Sequence, residues 1–96
     1  MDNRKFKGVW IPNEIWQDSR LSANDKVILT EIDSLDNEDH CTAGNEYFAN
    51  FCDISEKTVS RSIDKLIKLG YVSRIGFNGR KRILKSNLTV KIEKDI

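Results

Sequence analysis

His40, Cys41 and Cys52 are the histidine and cysteines of this sequence, the residue types that ligate zinc or pair as base and nucleophile. A structural zinc site draws on four ligands and on close pairs such as C-x2-C. Here ten residues separate the cysteines, and no second pair exists. Adjacency of His40 and Cys41 in sequence does not aim a base at a thiol, and nothing marks an oxyanion hole. Cys52, following Phe51 at an apolar helix end, reads as a small core residue. Asp36, Glu38 and Asp39 lack the glycine and terminal glutamate of a calcium loop and read as a solvated connection. No Gly-rich phosphate loop, HExxH or G-x-S-x-G is present. The expectation is a non-enzymatic protein with no cofactor and no metal.

The cations offer a different chemistry. Residues 1–56 hold five Lys/Arg against twelve Asp/Glu, a balance of −7, while residues 57–96 hold eleven against three, a balance of +8. The formal net charge of +1 conceals this division. Such asymmetry points toward a polyanionic partner. Lys and Arg can donate to phosphate oxygens or, in the case of a well-aimed Arg, to base edges.

Those side chains need elements to hold them. A chain of 96 residues suits one small domain, here residues 1–96 with a core over about 6–90. No apolar run approaches the roughly 18–20 residues that span a bilayer. The first residues carry no run of signal-peptide length, so a cytoplasmic location is expected, with no membrane partner. A reducing compartment argues against a disulfide. Phe6–Ile11 is β-prone, and Pro12 opens a short helix to Gln17. Trp10 and Trp16 most simply serve packing.

Ser22 can cap a helix with Asp25 three residues on. Val27, Ile28, Ile32 and Leu35 recur at helical spacing, leaving Lys26, Thr30, Glu31 and Asp33 outside. Asp36–Gly44 is a polar loop. Asn45–Phe51 forms a shorter helix with Tyr47, Phe48 and Phe51 on its apolar side. Ser55 caps a third helix, Glu56–Leu69, which Gly70 ends. Tyr71–Ile75 and Arg80–Leu84 then read as two strands joined at Asn78-Gly79, although the apolar alternation fits no single register. The second strand is open to continuation through Leu88–Ile92.

This order predicts a mainly α fold with a small β-hairpin: a winged helix-turn-helix, three core helices plus a wing. The bihelical unit wants a small residue in its first helix, and Ala49 supplies it. Phe48, Cys52, Ile54 and Val59 fall on its apolar positions. The left-handed turn position, usually glycine, is Asp53, and a further apolar position falls on Ser62. On a helical wheel Val59, Ile63 and Leu66 face inward, with Lys57, Arg61, Asp64 and Lys68 opposite. Thr58 and Lys65 flank one edge and Ser60 the other. Such a helix fits the major groove of duplex DNA. Lys57 and Arg61 are the expected base contacts, with Thr58 and Ser60 beside them. Ser55 with the first helical N–H groups, and Lys65 and Lys68 further along, suit phosphates. Arg74, Arg80, Lys81, Arg82 and Lys85 crowd the hairpin, where they suit the backbone or minor groove.

The chain also resembles the winged helix-turn-helix domains at the N-termini of replication initiator and DnaD-like proteins of phages, plasmids and integrative elements in Gram-positive bacteria. The resemblance rests on Gly8-Val9-Trp10-Ile11-Pro12 with Glu14-Ile15-Trp16, on Leu21-Ser22 with Lys26, and on Glu31 through Leu35. It continues in Asn45 through Ala49, Ser55 with Val59-Ser60-Arg61, and Leu69-Gly70-Tyr71, covering about residues 6–85. It implies origin or operator binding, and a further domain that contacts replication proteins. A small transcriptional regulator using the same surface and a protein-interaction module stay open as alternatives. With no long heptad helix, a monomer alone or a dimer on DNA is expected.

Overall fold

The computed structural model describes residues 10–88. The β-prone segment before Trp10 and the continuation beyond Leu88 lie outside the described residues. The elements are α1 (Asn13–Trp16), α2 (Ala23–Leu35), α3 (Asn45–Cys52), α4 (Glu56–Lys68), β1 (Val72–Asn78) and β2 (Lys81–Ser86). This is the winged helix-turn-helix order, with α2, α3 and α4 packed on one another and an antiparallel hairpin packed against α2 and α4.

Each boundary has a local cause. Ser22 and Asp25 form a reciprocal capping box at α2: the Ser22 hydroxyl accepts from the Asp25 N–H, and the Asp25 carboxylate accepts from the Ser22 N–H. Ser55 caps α4 by accepting from the Thr58 N–H. Gly70, at φ 86°, turns the chain out of α4 while Tyr71 N–H bonds back to the Leu66 carbonyl. Asp53 does take the left-handed conformation of the turn, φ 56° and ψ 52°, and the Ile54 N–H reaches the Ala49 carbonyl. The core gathers Ile15, Ile28, Leu29, Ile32, Phe48, Val59, Ile63, Leu66 and Leu84.

Several details depart from the sequence reading. The two-residue turn of the hairpin is Gly79-Arg80, one position later than Asn78-Gly79, because Asn78 pairs with Lys81; Gly79 supplies the positive φ of 67°. The register slips between Arg74 and Gly76, leaving Ile75 as the extra residue of a bulge, which is why no single alternation fits both strands. Cys41, inside the stretch read as loop, exchanges two backbone hydrogen bonds with Leu84 at 2.9 and 2.8 Å, so a one-residue third strand joins the wing to the start of α3.

Trp10 and Trp16 are largely exposed rather than packed, at 92% and 58%. The ring of the second is met instead by Lys26, whose ammonium lies 4.8 Å from the indole centroid and donates to the Trp16 carbonyl at 2.6 Å. Glu31, placed outside by the wheel, is buried and accepts from the Tyr47 hydroxyl. A period-based wheel cannot anticipate an acid that finds a donor on a neighbouring helix.

Candidate nucleic-acid interface

α4 is the most amphipathic helix of the fold, with Val59, Ser62, Ile63 and Leu66 buried and Lys57, Arg61, Asp64 and Lys68 exposed. Thr58 and Ser60 are partly buried at its edges. The Thr58 and Ser55 hydroxyls lie 3.0 Å apart, so the cap and its neighbour fix each other at the exposed amino end of the helix. The wing sits beside this end. Arg74, Arg80 and Lys81 are exposed on it, and Lys85 is partly so.

The pairing of these cations divides them. Arg20 is held by Asp18 through two side-chain bonds of 2.9 and 2.7 Å. Lys65 lies 2.7 Å from Asp25, which also accepts from the Ser62 hydroxyl at 2.5 Å. Ser62 therefore fills its apolar position as the donor to a buried carboxylate, and Lys65 works as a tie between α4 and α2. Among the described residues, Lys57, Arg61, Lys68, Arg74, Arg80, Lys81, Arg82 and Lys85 meet neither a carboxylate nor a hydrogen-bond acceptor.

These contacts also set the protonation of the acids. Burial by itself would raise the Asp25 carboxyl, but bonds from Lys65, Ser62 and the Ser22 backbone outweigh it and hold it below its ordinary value. The Arg20 guanidinium, against partial burial and with help from the Tyr71 hydroxyl, holds Asp18 far below the usual carboxylate range. The Tyr71 hydroxyl donates to Asp18 at 2.5 Å, and burial followed by that bond pushes its own ionisation upward.

Arg82 differs from the rest of the wing cations. Expected from its strand position to be one more exposed contact, it is half-buried, with Nε and Nη2 enclosed and unbonded among the described residues. Desolvation, then the cation of Arg74, weakens its hold on the proton, although a guanidinium stays charged at any ordinary pH. It lines a cleft of about 460 Å³ between the hairpin and the amino end of α3. Phe77, on the same wall and 64% exposed, was missed as a surface aromatic. It lies beyond Tyr71–Ile75, the stretch expected as a strand; β1 runs on to Asn78 and carries Phe77, past the bulge at Ile75.

No helix among the described residues is long and apolar enough to cross a membrane. No curated protein and no solved structure matches the chain. A family model described as a helix-turn-helix domain matches residues 19–72, more than half of the chain. That span runs from the residue before Arg20 through α2, α3 and α4 to the first residue of β1, and such domains point to DNA as the partner. With its bihelical turn at Asp53 and its capped fourth helix inside the matched span, the chain belongs to the helix-turn-helix domain family.

Proposed function

We propose that the protein binds double-stranded DNA sequence-specifically, with α4 in the major groove and the wing on the backbone or minor groove. The supporting observation is the set of cations, without ion pairs among the described residues, on the front of α4 and on the adjoining hairpin. A protein surface that leaves so many Lys and Arg without internal partners is complementary to a polyanion. Lys57 and Arg61, with Thr58 and Ser60 beside them, contact base edges. Ser55, Lys68, Arg74, Arg80, Lys81 and Arg82 meet phosphates, and Lys65 positions α4 while lying at the edge of the same surface.

The biological setting we infer is initiation of replication of a mobile element in the cytoplasm, with replication proteins reached through a further domain. The resemblance of Gly8–Pro12 and of the helical motifs to initiator domains supports this. Binding as a monomer, or as a dimer formed on the duplex, accords with helices too short for a coiled-coil seam.

Selection of bound sequences from a random duplex pool, followed by a salt titration on the selected site, tests the reading. The expected result is an enriched motif and a steep fall of log K with log salt. Undetectable duplex binding at low salt would sink it.

A further inference from the structure

The cleft between the hairpin and α3 contains donors that the fold itself leaves unused. Among the described residues, the enclosed Nε and Nη2 of Arg82 have no acceptor, and the side-chain oxygen of Asn45, on the same lining, has no donor. Groups walled off from water and left unbonded are disfavoured unless something else enters to bond them. Arg74, Arg80 and Lys81 face the same space, against the single carboxylate of Glu56. No ion pair within 4.0 Å links that carboxylate to any of the four cations. The group complementary to this lining is an anion with more acceptors than a lone carboxylate brings to a guanidinium fork and its neighbours. Half a turn of the Asn45 carboxamide presents N–H₂ to such an anion in place of oxygen. Gly44, which opens α3 without a side-chain cap, leaves that helix end accessible from the cleft. Phe77 adds an exposed ring to the wall, suited to the flat face of a base.

We infer that this cleft is a seat for one phosphate group of a nucleotide unit, gripped by the Arg82 fork. The phosphate has two chemical sources: a phosphodiester of the bound duplex, which rests on the DNA-binding reading, or a free nucleotide, which does not. In the first case Arg82 is a backbone clamp set deep beside α3; in the second the wing carries a separate ligand site.

The test compares wild type, Arg82→Met and Gly44→Asp, all as the full chain. A Cβ at Gly44 would meet nothing within 4 Å, and the N-cap position favours Asp, so the second variant should fold while placing its own carboxylate in the cleft. Thermal unfolding is followed in chloride, in inorganic phosphate and in ADP at matched ionic strength, and duplex binding is titrated against salt. Wild type should gain thermal stability with at least one phosphate ligand or with duplex. Arg82→Met should unfold in chloride at or above the wild-type midpoint, because it loses an unbonded buried charge. It should also lose the ligand response, bind duplex about tenfold more weakly, and show a salt slope shallower by about one. Gly44→Asp should lose the ligand response too.

An Arg82-dependent response to duplex alone assigns the phosphodiester, and one to ADP or inorganic phosphate assigns free phosphates. An Arg82-dependent response to ADP without any duplex binding keeps the seat and removes the DNA reading. The inference is overturned if none of inorganic phosphate, ADP and duplex responds through Arg82, or if Arg82→Met merely destabilises the protein with its ligand responses intact.

Discussion

The seam between α2 and α4 and the face formed by α4 with the wing use the same residue types to opposite ends. In the seam, Lys65 is matched to Asp25, and nearby Arg20 is matched to Asp18. On the face, Lys57, Arg61, Lys68 and the hairpin cations have no such partner among the described residues. A cation with a nearby carboxylate contributes to the fold and offers little to a partner. One without a carboxylate contributes little to the fold, and its self-repulsion is relieved when a polyanion arrives. Partner assignment, not the number of charges, separates the half that ties the fold together from the half proposed to meet DNA.

The paired half of the molecule is most vulnerable at Asp25. That carboxylate closes the capping box of α2 and accepts from Ser62 and Lys65. We predict that Asp25→Ala lowers stability by about 2–4 kcal/mol, combining loss of a cap with stranded donors. Urea unfolding measures it; a loss under 1 kcal/mol would mean the seam is ornamental. Acid should act on the same contacts. The depressed folded-state pKa values of Asp18 and Asp25 contribute stability that is present above the unfolded carboxylate value of about 3.9. That stability is lost as pH falls through the lower folded values. Wild type should therefore weaken below about pH 4 more steeply than a D18N/D25N double variant, whose stability profile should be flatter there.

Arg61→Ala tests the other side. It should leave stability within about 0.5 kcal/mol of wild type and cost about 1–3 kcal/mol of binding on the selected site. Equal losses on selected and random duplexes would remove its assignment to a base. The smallest effect is expected at Arg80, in the turn. Arg80→Ala should weaken all sequences alike, by less than about 1 kcal/mol, with a salt slope shallower by about one; a sequence-dependent loss would move Arg80 from phosphate to base.

The same division explains how much could be read from the chain. The helices were legible because Ser22, Ser55, Gly70 and the apolar spacings act within a few residues of one another. The inward stripe of α4 and its exposed Lys57, Arg61 and Lys68 followed from the same local period. What lay hidden depends on contacts between distant residues. Ser62 broke the apolar pattern until Asp25, 37 positions earlier, gave it a partner. Lys65 looked free for the same reason. The bulge at Ile75 shifted the hairpin turn and set the side on which Phe77 emerges, and no propensity marks an inserted residue before its partner strand is known. Arg82 could not be distinguished from Arg80 until the start of α3 was seen to wall it in.

The two bonds between Cys41 and Leu84 also bear on the order of assembly. The bridge closes a loop of more than forty residues, a span close to the 37 and 40 positions that separate Asp25 from Ser62 and Lys65, so wing and seam demand loop closures of similar entropy. Only the caps and the helical periods act over a few residues. The cleft, and the surface proposed to meet nucleic acid, therefore exist only once the tertiary contacts on both sides of α4 are made.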